Sequence, residues 1–191
     1  MDRSERRAAL VQEVSARTGI DETMIGRLVH AFYDRVRQDP TLGPIFNDAV
    51  DDWDRHLGRM CAFWHSVALS SGRYQGQPMA KHLPLPVDAR HFDRWLSLFE
   101  ATARDLCPPV AADHFIERAR RIAESLELGV AGHAGVFLAK GERYYRDGRP
   151  GDDADDPIEL ASSPCLLHEI DPVYAGLTPE AAEPACEASR E

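Results

Sequence analysis

In four separate stretches of this chain, apolar residues return at steps of three and four, and each stretch closes on a proline or a glycine-rich break. That spacing gathers the apolar side chains on one face of a helix, and four such faces bury each other only in an all-helical body. The first stretch is capped by Asp21 and carries Ile25, Leu28, Val29, Phe32 and Val36 before Asp39-Pro40 ends it, with Tyr33 on the flank of the stripe. The second, 51–70, sets Trp53, His56, Met60, Phe63, Trp64 and Val67 along one side behind acidic residues suited to a helix N-terminus. The third is capped by Asp88 and turns Phe92, Trp95, Leu96, Phe99, Ala103 and Leu106 inward; Pro108-Pro109 closes it. The fourth, from about 110 to 128 with a looser continuation toward Lys140, buries Phe115, Ala119, Ile122 and Leu126.

The connections are as informative as the helices. Residues 4–17 have the composition of a short leading helix stopped at Thr18-Gly19. Pro40, Gly43 and Pro44 make 40–50 a corner that delivers Ile45 and Phe46 as an apolar pair. Between Ser70 and Val87, Gly72, Gly76, Pro78, Pro84 and Pro86 leave room for no more than about two helical turns around Met79 to Leu83, and His82 sits on that short piece. No strand alternation and no internal repeat competes with this pattern.

Charge divides the chain. Residues 1–146 carry 20 Lys and Arg against 20 Asp and Glu, whereas 147–191 carry 2 against 12, so the whole formal charge of −10 lies in the tail. A neutral body without a cationic block excludes phosphate-backbone binding and hence nucleic acid as a partner. The N-terminus has no uninterrupted apolar run, so neither a secretory signal nor a membrane span is expected, and cytoplasmic residence follows. Cys61, Cys107, Cys165 and Cys186 form no CxxC, zinc-finger or CxxCH pattern, which fits reduced thiols and a cofactor, if any, held non-covalently. The expected organisation is a helical extension over 1–19, a domain over 20–140, and an acidic, largely irregular linker and extension over 141–191. Cys165, His168, Glu169 and Asp171 crowd one short span of that extension, but a docking segment explains them more simply than a closed metal site.

Eight histidines invite a metal reading, yet His30, His65, His91, His114 and His133 form no HxxxH or HExxH pair and are expected to be surface or locally satisfied. His56 and His82 differ. Each lies beside an aromatic-rich face, on separate elements, and two imidazoles facing across an apolar slot can enclose a flat iron porphyrin. Such a site needs one neutral imidazole on the iron, and on the other face space with one or two directed donors. Tyr33 and Trp95 supply a hydroxyl and an indole N–H of that kind. The residues alone stop at a helical protein with a possible histidine-ligated cofactor, in which Trp95, Trp64, Phe46 and Met60 serve equally well as plain core and Tyr33 as a donor to a backbone carbonyl.

The ordered set FYDRVRQDPTLGPIFND, WDRHLGRMCAFW, GRYQGQPMAKHLPLP and HFDRWLSLF resembles the group III truncated haemoglobins over about residues 20–130. The resemblance implies a truncated globin, a two-over-two helical sandwich around haem b, with an irregular C-terminal tail as a departure from the family. It implies His82 as the iron ligand, and Tyr33, His56 and Trp95 around a diatomic ligand. Phe46, Met60 and Trp64 would line the haem, as would Leu83, Phe92 and Leu96. Its implied partners are O2, NO, CO or peroxide and a reductase, and its implied roles are gas binding or, alternatively, nitric oxide dioxygenation or a peroxidase-like reaction. A haem-free helical interaction module recruited through the acidic tail is the rival from another class.

Overall fold

The computed structural model describes residues 2–148; the expectations for the tail, including its Cys165 to Asp171 cluster, fall outside them. Among the described residues there are seven helices: α1 (Arg3–Thr18), α2 (Glu22–Gln38), α3 (Gly43–Ala49), α4 (Trp53–Leu69), α5 (Pro78–His82), α6 (Ala89–Leu106) and α7 (Pro109–His133). The α2/α4 and α6/α7 pairs meet through α2 on α6 and α4 on α7, and α1 lies against α4 and α7. This is the two-over-two helical arrangement expected from the sequence.

The apolar steps do what their spacing demands. Ile25, Leu28, Val29, Phe32 and Val36 of α2 are buried, as are Phe63 and Trp64 of α4, Phe99 of α6 and Phe115 of α7. At their centre Phe99 stacks between Trp64, at 4.6 Å, and Trp95, at 5.3 Å. Stacked rings of this size bury large apolar areas and tie α4 to α6. A second cluster, built from Val87, Phe92, Ala123, Leu126, Val130 and Tyr144, joins the start of α6 to the last turns of α7.

Helix ends are held by side chains, as orphan backbone groups require. Asp21 and Asp52 accept N–H groups of α2 and α4. Two groups of α7 reach the C-terminal carbonyls of α4: His114 Nε2 lies 2.9 Å from Ala68 O, and Arg118 Nε donates to Val67 O at 3.1 Å. Asp39, buried at the end of α2, accepts from the N–H groups of Thr41 and Leu42 and from Arg94 of α6, which fastens the corner to the opposite helix pair.

Two elements differ from expectation. The 40–50 corner contains the short helix α3, because a proline at the first turn removes no intrahelical hydrogen bond. The last helix stays regular through His133, and 134–140 is not helical: the N–H groups of Ala134 and Val136 fold back onto the carbonyls of Val130 and Ala131. The chain then returns to the body. Its Tyr144 carbonyl accepts from the Ala89 N–H at 2.7 Å.

The N-cap of α6 supplies a pH test of this body. Burial alone raises the Asp88 carboxyl, but hydrogen bonds from Arg90, His91 and the Arg146 N–H outweigh it and hold the group at about 2, against an ordinary 3.8. A carboxyl with a depressed native pKa contributes stability that is present above its unfolded value and lost as the pH falls through the native one. Urea midpoints of the wild type are therefore expected to drop between about pH 4 and pH 2, and Asp88→Asn is expected to flatten that drop while lowering the midpoint at neutral pH. Parallel profiles for the two proteins would show that Asp88 does not contribute.

Candidate functional site

A cavity of about 480 Å³ opens between α2, α4, α5, α6 and α7. Of the ten residues singled out from the sequence, eight line it: Tyr33, Phe46, His56, Met60, Trp64, His82, Phe92 and Trp95. Leu83 and Leu96 are not among its lining residues. Leu83 is the C-cap of α5, and Leu96 is half-buried in the packing between the two apolar clusters.

At one end stands His82. Its Nδ1 lies 2.7 Å from the carbonyl of Pro78, one turn back on α5, so the neutral ring donates Nδ1–H there and leaves the Nε2 lone pair uncommitted. Burial pushes the His82 pKa down, which keeps the ring neutral, the form that binds a metal. The short α5 is seated on α7 by its own Met79, whose thioether occupies the notch over Gly129; a methyl group there would overlap the sulfur. A hydrogen-bonded back nitrogen and a seated helix are what orient a ligating imidazole.

Tyr33 and His56 line the same cavity. The Tyr33 ring is 95% buried and makes edge contacts with Phe32, at 5.0 Å, and with the His56 ring, also at 5.0 Å; Phe46 follows at 5.9 Å and Trp53 at 6.1 Å. Burial, with smaller contributions from Cys61 and Tyr74, pushes its phenol pKa well above 10, so the hydroxyl stays a donor across the neutral range. His56 Nε2 is, among the described residues, the buried side-chain polar atom left without a hydrogen-bond partner. Leaving such an atom unpaired costs roughly 1–3 kcal/mol, which marks it as a group kept for something that enters the cavity. Burial first, then the charge of Arg59 and the proximity of His82, lower the His56 pKa and keep it neutral.

The walls between the two ends are apolar: Ile45, Phe46, Leu85, Val87, Phe92, Ile122 and Leu126. The rim is not. Arg55, Arg59 and Lys81 reach it from α4 and α5, and none forms an ion pair among the described residues. Sequence reasoning missed these cations, because each reads as an ordinary exposed helix residue until the fold brings α5 opposite α4. The histidines set aside earlier are satisfied or exposed: His65 lies 2.6 Å from Ser71 Oγ and His91 2.9 Å from Asp88, while His30 and His133 are exposed.

No three His, Cys, Asp or Glu side chains converge on a common point among the described residues. The cavity combines apolar walls, the uncommitted Nε2 of His82, the unpartnered Nε2 of His56 and a charged lining of Arg55, Arg59, Lys81, Asp51 and Asp52. None of the described helices is long and apolar enough to cross a membrane.

Comparison with known proteins agrees with this geometry. The bacterial-like globin family matches residues 16–127. The group 3 truncated hemoglobin ctb of Campylobacter jejuni is 35% identical over 113 residues, which is 56% of this chain and 89% of that protein. The group 2 truncated hemoglobin YjbI of Bacillus subtilis is 32% identical over 80 residues, 41% of this chain and 61% of that protein. The crystal structure of a group III truncated hemoglobin from Campylobacter jejuni superposes with a TM-score of 0.53 at 32% identity, covering 68% of this chain and 95% of that one.

Proposed function

The chain belongs to the bacterial-like globin family, among the group III truncated haemoglobins, and we propose that its cavity holds haem b non-covalently through His82 and that the protein binds diatomic gases there. Three histidines line the cavity, and the observation that carries this reading is the pair among them formed by His82, with its back nitrogen committed to Pro78, and His56, with a buried, unpartnered Nε2. His82 would ligate through Nε2; Phe46, Leu85, Phe92, Ile122 and Leu126 would flank the macrocycle; Arg55, Arg59 and Lys81 would face its two carboxylates. Haem supplies, when bound, an iron centre that takes O2, NO or CO and exchanges single electrons with a reductase.

The remaining work belongs to the side chains. Tyr33 holds its proton in the neutral range and presents it to the distal end of the cavity, where Trp95 adds an indole N–H and His56 an imidazole nitrogen. All three residues line the one cavity, and if their polar groups reach the same ligand they favour long retention over release. These groups also support the second reading, in which O2 or peroxide is consumed: nitric oxide takes up both oxygen atoms of O2 and one electron from the reductase to give nitrate, or hydrogen peroxide takes two electrons from the reductase and two protons to give two waters. Carrier and enzyme separate in a turnover assay of the haem-loaded protein with an electron donor and either NO plus O2 or peroxide.

Purified, haem-supplied protein is expected to show a Soret band that shifts with CO. A protein that stays folded and takes up no haem would reject this proposal and return the helical interaction module to first place.

A further inference from the structure

We infer that the segment 134–148 is a brace for the proximal side of the cavity, in which Arg143 and Tyr144 are positioning residues for the wall beside His82. The inference rests on the haem reading above and concerns residues beyond 127, where the family match ends. It begins with a buried carboxylate. Glu127 of α7 is 5% exposed, and an unpaired charge there would be strongly destabilising. Its partner comes from the returning segment: Arg143 Nε lies 2.8 and 3.0 Å from the two carboxylate oxygens, and the Tyr144 N–H donates to one of them at 2.9 Å.

The same residues also grip α6. An Arg143 terminal nitrogen donates to Asp93 at 2.8 Å and to the Ala89 carbonyl at 3.3 Å, and the Ala89 N–H donates back to the Tyr144 carbonyl at 2.7 Å. These bonds drive the Tyr144 ring, 8% exposed, into the cluster of Val87, Phe92, Ala123, Leu126 and Val130. Four of those residues, Val87, Phe92, Ala123 and Leu126, line the cavity, and Tyr144 does not. Tyr144 therefore acts through them. Close packing leaves such a wall no slack, so removing the ring behind it loosens the face that carries Phe92 and Leu126 against the macrocycle.

The test uses the full chain loaded with haem. Tyr144→Ala is expected to speed haem transfer to an excess of scavenging apomyoglobin by at least about tenfold, within the range that outer-shell partners of a metal site command. It is also expected to move the iron–histidine stretching band of the ferrous protein in resonance Raman spectra. Tyr144→Phe, which keeps the ring, is expected to match the wild type on both measures, and Arg143→Met to follow the alanine variant. Val14→Ala, a core deletion in α1 away from the cavity lining, controls for general loss of stability. A folded Tyr144→Ala protein with wild-type haem loss and an unmoved band would overturn the brace, as would equal acceleration in Val14→Ala. Should Tyr144→Ala not fold, hydrogen exchange of the wild type decides. The Ala89 and Tyr144 amides are expected to gain protection on haem loading, and unchanged protection would overturn the inference. Failure of the haem reading has its own signature, a wild type without a Soret band.

Discussion

An alanine at position 82 is expected to abolish stable haem uptake and leave the helices intact. His82 is half-buried, belongs to neither apolar cluster and ends a five-residue helix, so its removal takes little from the fold. Its loss takes from the cavity the imidazole of α5, whose Nδ1 is held by the 2.7 Å bond to Pro78 and whose Nε2 is uncommitted. Removing an outer-shell partner of a metal site costs 10–100-fold, and removing the ligand itself is expected to cost at least about 100-fold in haem affinity. Haem titration followed at the Soret band, beside far-ultraviolet circular dichroism, reads both effects. The glycine variant adds a sharper test. If the bond to the metal is what His82 contributes, His82→Gly supplied with free imidazole is expected to regain the band, because the small base can enter the space the side chain left. A folded His82→Ala protein with an unchanged Soret band would remove His82 from the site.

How far this was legible beforehand follows from what kind of regularity each part carries. Helical spacing is periodic, so the buried faces of α2, α4, α6 and α7 could be counted off residues such as Leu28, Trp64, Phe99 and Phe115. The corner helix α3 was not legible, since Gly43 and Pro44 break a helix interior but suit its first turn. Leu83, which the resemblance sets against the haem, is not among the lining residues of the cavity, whereas Leu85 and Val87 are. The turn after α5 has no period: Leu85 bonds back to His82 and Val87 to Leu85, and this pairing aims the apolar residues. Nothing in the helical spacing marks Glu127 as buried, because its partner Arg143 arrives from 16 positions further on. The roles of Tyr33, His56 and Trp95 were the least legible from spacing alone. Helical steps put Tyr33 on a flank and His56 among aromatics; only the fold turns them into one cavity with an unpaired nitrogen.

Tyr33→Phe is expected to speed O2 dissociation from the haem-loaded protein by roughly 10- to 100-fold, with the fold undisturbed. The phenyl ring keeps the contacts with Phe32, Phe46, Trp53 and His56, and the hydroxyl that disappears bonds to no other described residue, so no partner is orphaned. What the substitution removes is a proton that burial holds on the phenol, and with it one donor to a polarised ligand. A hydrogen bond to a charged or strongly polarised acceptor contributes about 1.5–3 kcal/mol, and each 1.4 kcal/mol is a factor of ten in rate. CO accepts hydrogen bonds far more weakly, so its dissociation is expected to change much less, and the contrast between the two gases separates a lost donor from a merely widened pocket. Trp95→Phe in the same background measures how far the two donors share one ligand, since a double-variant effect smaller than the product of the single effects means that they do. An O2 dissociation rate equal to that of the wild type, with a normal Soret band, would place the Tyr33 hydroxyl outside the ligand's reach and leave Trp95 and His56 as its donors.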